Sequence, residues 1–167
     1  QKVIIDADPG LGDALALVAA LRDPELDVVA VTGVGGCVSA TQAAQNLWAI
    51  IEAIDPPKRP RIGVADSPEA QYELVRFSER YGDAALATRH LNGETGLGDW
   101  PLGDAQRHHP RSAVKLLHEV TREYAGEVSI ITLGPLTNLA WAIEWDPEFL
   151  TRLKGLYLLG GTVAAPG

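Results

Sequence analysis

Lys2-Val3-Ile4-Ile5-Asp6-Ala7-Asp8-Pro9-Gly10-Leu11-Gly12-Asp13-Ala14 is the stretch that decides how this chain folds. Val3, Ile4 and Ile5 form an apolar run that suits a strand buried on both faces, as a parallel sheet requires. Pro9-Gly10 ends it. Ala14, Leu17, Val18 and Leu21 then recur at helical spacing, which predicts a helix beginning about where Asp13 stands. In an extended segment Asp6 and Asp8 point to the same side, because side chains alternate with period two. The corner that follows can swing Asp13 toward the same space. Three hard oxygen donors, with no Cys or His nearby in the sequence, suit Ca²⁺ or Mg²⁺ better than a soft metal. A lone Asp at a helix start is ordinarily an N-cap or a partner of the helix dipole. Three of them at the end of a buried strand are harder to explain that way, since like charges repel and desolvate poorly unless a cation or a proton joins them.

Outward from this corner, strands and helices alternate. Leu26 to Val34 predicts a second strand closed by Gly33, Gly35 and Gly36, which serve either a tight turn or the close approach of a ligand. Ser39 is positioned to cap a helix whose stripe is Ala43, Leu47, Ile50, Ile51 and Ile54, with Trp48 packing in the core or at an interface. Arg61 to Ala65 is a short third strand. Ser112 to Tyr124 reads as a helix with Ala113, Leu116, Leu117 and Val120 inward, His118 at the surface or its boundary, and Gly126 as C-cap. Val128 to Leu133 is a buried strand, and Thr137-Asn138 can cap the helix after it. Leu156 to Leu159 is the last strand, before Gly160-Gly161. This alternation predicts an open α/β fold with a mainly parallel sheet and helices on both faces, Rossmann-like in plan.

The exception is residues 66–109, a loop-rich insertion that reads either as a lid over the site or as a surface excursion. Its second half, His90-Leu91-Asn92-Gly93-Glu94-Thr95-Gly96-Leu97-Gly98, is the part expected to lie over the site. The adjacent His108 and His109 diverge in direction and are not expected to bind metal. The unusual residues otherwise follow strands: Asp6 and Asp8, Gly33 to Cys37, Leu133-Gly134 and Gly160-Gly161. Ligands of such sheets bind outside the carboxyl ends of the strands, so these points should meet at one crevice.

With 167 residues, 46% of them hydrophobic, the chain has material for one α/β domain over residues 1–167. A net charge of −8 and the lack of a basic patch exclude a general nucleic-acid surface. No apolar run reaches membrane-spanning length, so no membrane partner is expected. The N-terminus shows no signal-peptide pattern. The single cysteine, Cys37, fits a reducing compartment, and a cytoplasmic location is the expectation. The chain contains no Met, so Gln1 is not expected to be a native start.

At this point the motifs resemble a known family. Asp6-Ala7-Asp8-Pro9-Gly10-Leu11-Gly12-Asp13 is similar to the Asp-x-Asp-Pro-Gly-x-Asp-Asp signature of the inosine-uridine type nucleoside hydrolases. Val31-Thr32 with Gly36, His90 with Gly93 to Gly98, Leu133-Gly134-Pro135-Leu136-Thr137-Asn138 and Leu159-Gly160-Gly161 resemble further segments of that family. The resemblance implies calcium-dependent hydrolysis of the N-glycosidic bond of nucleosides, giving ribose and base. It implies Asp8 as general base and calcium ligand, Asp13 as a second ligand and the Leu133 carbonyl as a third. Asp6 would be a supporting carboxylate, Asn46 a framework residue, and His90, Asn92 and Glu94 would belong to the substrate loop.

Three departures accompany it. Gly12 and Cys37 stand where the family has Asp and Asn near the sugar, Asn92 stands where a second His is often found, and the chain corresponds to the N-terminal half of the family's length. Each lost polar contact is worth about 1–3 kcal/mol of binding. The alternative reading is therefore a non-catalytic relative that binds a metal or a sugar. Dinucleotide binding through Gly10-Leu11-Gly12 is disfavoured, because the fingerprint needs Gly where Leu15 stands. The family tendency implies a homo-oligomer with a small-molecule nucleoside as ligand.

Overall fold

The structure is a computed structural model; it describes residues 1–65, 90–101, 111–161 and 164. The elements run β1 (Lys2–Ala7), α1 (Leu11–Arg22), β2 (Asp27–Gly33), α2 (Ala40–Ile54), β3 (Arg61–Val64), β4 (Arg111–Ser112), α3 (Ala113–Glu123), β5 (Val128–Thr132), α4 (Thr137–Trp145), a 3-10 turn (Phe149–Arg152) and β6 (Gly155–Leu158). The six strands are all parallel, in the order β4-β3-β2-β1-β5-β6. The expected open α/β fold is what forms. β1 lies at the centre because its residues can be buried on both faces: Val3, Ile4, Ile5 and Ala7 are all within the core.

Period-two alternation splits the strands between two apolar layers. Val3, Ile5 and Ala7 join Leu17 of α1 and Leu47, Ile50, Ile51 and Ile54 of α2 on one face. Ile4, Val29, Ala30 and Ile130 join Leu116, Leu117 and Val120 of α3 and Leu139 and Ala142 of α4 on the other. The β1–β2 register slips between Val3 and Ile4, where the pairing passes from Val28 to Ala30, so Val29 and Ala30 share a face. Each fully buried Leu or Ile contributes about 1.5–3 kcal/mol of hydrophobic free energy.

The cap expected at Ser39 forms, and Ser112 caps α3 in the same way. Ser39 Oγ accepts from the Gln42 N–H at 3.2 Å, and Ser112 Oγ accepts from the Lys115 N–H at 3.3 Å. α1 starts two residues before the expected position, with Gly10 as N-cap. Its spacing also misplaces Val18, which is exposed while Leu17 is buried. The short β4 was missed, because a two-residue polar bridge carries no periodicity.

Two further expectations are corrected. His118 is buried, because α4 and the 3-10 turn close over that side of α3 and set the edges of Trp145 and Phe149 against its ring. Thr137-Asn138 does not cap α4: Leu136 holds the N-cap position and no side chain caps it, while Asn138 turns inward. His108, His109 and residues 66–89 of the insertion lie outside the described residues.

Candidate functional site

The carboxyl end of β1 delivers Asp6 and Asp8, both buried, at the centre of the sheet. Beneath the corner, Asp6 is held by its neighbours on both sides. The Thr32 hydroxyl of β2 and Asn138 Nδ2 of α4 both donate to Asp6 Oδ1, Asn138 at 2.8 Å. Asn138 also donates to the Gly33 carbonyl at 3.1 Å. These bonds fasten β1, β2 and α4 together through one carboxyl. Burial pushes that carboxyl up to about 7, against the pull of Asn138 and Thr32. Asp6 Oδ2 is buried without a hydrogen-bond partner.

Asp8 sits one step outward, and its oxygens are enclosed by backbone. Cys37 N–H donates to Asp8 Oδ2 at 2.6 Å. A Cβ added at Gly134 would stand 2.6 Å from Asp8 Oδ1, and one at Gly36 would overlap Oδ2. Only glycine leaves room for the carboxylate at these two positions. Asp13, in the first turn of α1, abuts Asp8. Burial, reinforced by the Asp8 charge, pushes the Asp13 carboxyl up to about 6. The Cys37 thiol is pushed up to about 12, by burial first and by Asp8 second, so it is protonated at neutral pH.

Two adjoining carboxylates with no cation between them are a destabilised arrangement that a proton or a metal ion relieves. Asp13 Oδ2 is buried with no hydrogen-bond partner among the described residues. Gly134, the residue after Leu133, approaches Asp8 closely. No three His, Cys, Asp or Glu side chains among the described residues form a metal-ligand cluster. Two carboxylates therefore meet a metal only with help from carbonyls, water or a substrate, a donor set that suits an oxygen-loving cation. The residues present fit Ca²⁺.

The other predicted residues border this corner. Asn46, fully buried on α2, donates from Nδ2 to the Pro9 carbonyl at 2.9 Å and to the Thr95 carbonyl at 2.8 Å, while Gln42 holds its Oδ1. It is a framework residue that fixes the 90–101 segment beside the Pro9 turn. Asn92 Oδ1 accepts from the Leu11 N–H at 3.1 Å, so it caps α1 from a distance where Gly10 has no side chain to do so. His90 is exposed on the turn at 90–92, and Glu94 is exposed with its N–H donating to Asp99 Oδ1. A Cβ added at Gly12 would meet nothing within 4 Å, so the departure from the expected Asp leaves open space. Sequence reasoning did not foresee the roles of Thr32 and Asn138. Thr32 is the polar exception in the Val28-Val29-Ala30-Val31-Thr32 run, which was the available signal.

Comparison with known proteins places this geometry. A family model described as inosine-uridine preferring nucleoside hydrolase matches residues 3–167. Uridine nucleosidase 1 of Arabidopsis thaliana is 36% identical over 100% of this chain and 47% of its own length. The pyrimidine-specific ribonucleoside hydrolase RihA of Salmonella typhi is 34% identical over 97% of this chain and 49% of its own. Among solved structures, the plant nucleoside hydrolase PpNRh1 superposes with a TM-score of 0.77 at 36% identity, covering 97% of this chain and 48% of that one. The purine-preferring ribonucleoside hydrolase from Gardnerella vaginalis gives 0.81 at 26% identity, covering 98% and 50%. The chain spans about half the length of the curated relatives it matches. With that family model matched over residues 3–167, nearly the whole chain, the chain belongs to the inosine-uridine preferring nucleoside hydrolase family.

Proposed function

We propose that this chain supplies the carboxylate half of a calcium-dependent nucleoside hydrolase site, in which the N-glycosidic bond of a nucleoside is cleaved to ribose and base. The observation that supports this reading best is the Asp8–Asp13 pair, Asp8 buried and Asp13 half-buried, adjoining and without a Lys or Arg ion pair among the described residues. Asp8, Asp13 and the Leu133 carbonyl would hold Ca²⁺. When bound, the ion orients water and ribose hydroxyls and offsets negative charge. Cleavage of an N-glycoside passes through an oxocarbenium-like sugar, and the water that attacks it must lose a proton. Asp8 takes that proton; its Oδ2 is fixed by the Cys37 N–H, and the glycine backbones on either side keep the carboxylate in one orientation. Asp6 does not reach the substrate side. With Thr32 and Asn138 it anchors the strand end that carries Asp8.

A second reading has specific support: a family member that keeps the metal corner and binds a metal or sugar without turnover. Gly12 leaves open space and Cys37 presents a protonated thiol beside Asp8, so two polar contacts to a sugar are weakened. The nucleoside partner, the homo-oligomeric state and a cytoplasmic location belong to the same proposal. The described helices include none long and apolar enough to cross a membrane.

Ribose release from a panel of purine and pyrimidine nucleosides, with and without calcium, separates the readings. Release that needs both calcium and Asp8 supports the hydrolase. Calcium binding by calorimetry without any release supports the binding protein, and calcium binding unchanged in Asp8→Asn and Asp13→Ala removes the metal site from both.

A further inference from the structure

Asp8 and Asp13 are joined by the corner Pro9-Gly10-Leu11-Gly12, and two asparagine amides hold that corner on either side of Gly10. Asn46 Nδ2 donates to the Pro9 carbonyl at 2.9 Å, before the glycine, and Asn92 Oδ1 accepts from the Leu11 N–H at 3.1 Å, after it. Glycine has the widest choice of backbone angles, so Gly10 is a natural hinge between the end of β1 and the start of α1. The two amides fix its setting. Left unheld, the hinge would let the carboxylates turn apart, which their mutual repulsion favours.

The hold on Leu11 comes from a segment that is itself anchored. Gly98 N–H donates to the Asn92 carbonyl at 2.7 Å and Gly96 N–H to the Gly93 carbonyl at 3.3 Å, so residues 92–98 close on themselves as a turn. Leu97 is buried in the layer shared with α1 and α2. The Thr95 carbonyl accepts from Asn46 Nδ2 at 2.8 Å, and a Cβ added at Gly96 would stand 3.1 Å from the Pro9 carbonyl. Gly10 completes the fit. Its φ of −92° and ψ of −173° are open to any residue, yet a Cβ there would crowd Oδ1, Cγ and Nδ2 of Asn92 at 3.1 to 3.3 Å. Glycine therefore makes room for the Asn92 amide. α1 forgoes a Ser or Asp at its own N-cap and takes its cap from 81 positions away.

We propose that Asn92 is a positioning residue for the cation corner: by holding the Leu11 N–H it sets the Gly10 hinge and keeps Asp13 turned toward Asp8. This rests on the reading of Asp8 and Asp13 as calcium ligands. Asn46 secures the Asp8 side of the hinge and Asn92 the Asp13 side, both through backbone groups. In the metal-free protein this clamp works against like-charge repulsion, so losing the Leu11 bond lowers the fraction of molecules in which the pair is assembled. Apparent cation affinity falls in proportion to that fraction. Linkage makes the effect reciprocal: a cation that draws Asp8 and Asp13 together also holds the 92–98 turn on the start of α1.

Calcium calorimetry beside a urea titration of the purified protein tests this. Asn92→Leu, similar in size but without an acceptor, should bind calcium about 10-fold more weakly, as when the assembled fraction drops to about a tenth. Asn92→Asp keeps the acceptor and should bind at least as tightly as the parent protein. Gly10→Ser combined with Asn92→Ala moves the cap to the N-cap position itself and should recover most of the loss. Ser112→Ala removes the cap of α3, at a strand three places from β1, and should lower the urea midpoint with calcium affinity unchanged. Parent-like affinity in Asn92→Leu overturns the proposal, as does a loss that Ser112→Ala shares or that the Gly10→Ser pair does not recover. A parent protein that binds no calcium overturns the metal corner and this inference together, so the parent titration tells the two failures apart.

Discussion

Two clusters of ionisable groups flank this sheet, and their charges are arranged in opposite ways. Around His118, charges of opposite sign are paired: Asp146 receives Arg152 at 2.9 Å and Arg122 at 3.4 Å, and the edges of the Trp145 and Phe149 rings meet the imidazole. Burial pushes Asp146 up, but the Glu148 N–H and the two arginines hold it below the usual carboxylate range. At the end of β1 three carboxyls meet with no cation among the described residues, and two of them rise to about 7 and about 6. A cluster that pairs opposite charges is part of the framework. One built of like charges is a place for a ligand.

The contrast can be broken in four ways, in falling order of effect. Phe149→Ala removes a fully buried ring from beneath His118 and should cost about 3–5 kcal/mol of stability by urea titration. Calcium affinity should be unchanged. A comparable loss of stability would follow if the carboxylate corner unfolded with it, but affinity would then fall too.

The second concerns pH. Asp6 carries a raised pKa in the fold, so the native state binds more protons than the unfolded chain between about 4 and about 7. Its contribution is fully present below pH 4 and is lost as pH rises through 7, amounting to about 4 kcal/mol for a shift of this size. Metal-free protein should therefore lose denaturant midpoint over this window, and Asp6→Asn should flatten the slope. His118 works the other way. Burial first, then Arg122 and Arg152, lower its pKa, so its contribution is present above the ordinary histidine value and fades as pH falls.

Third, Asp8→Asn should weaken calcium binding at least about 100-fold, equivalent to about 2.7 kcal/mol, with stability in the absence of calcium unchanged or improved because a repelling charge is gone. Calorimetry beside a urea titration reads both. The smallest effect is the most local: Arg152→Met removes a positive charge from beside His118 and should raise the imidazole pKa toward its ordinary value in an NMR titration, leaving Asp8 and Asp13 untouched.

The strands, the helices and the carboxylate corner were legible because they rest on local pattern. The apolar run Val3-Ile4-Ile5, a stripe at helical spacing on α2 and Asp-x-Asp-Pro-Gly at a strand end are each visible in a short window. What was not legible depended on residues far apart in the chain. Asn138 reaches Asp6 across 132 positions, and Asn92 caps α1 across 81. His118 was misread because burial of a helix flank is decided by what packs on it, here a turn some thirty residues later.

The Asn92 cap has a consequence for time as well as for structure. The Leu11 N–H has its acceptor on the 90–101 segment, in contrast to amides deeper in α1 that bond within the helix. When that segment lifts, this N–H is released to water while the rest of the helix stays formed. The Leu11 amide is therefore a clock: its hydrogen-exchange rate reads how often the segment leaves the Pro9 turn, with no probe attached to the loop.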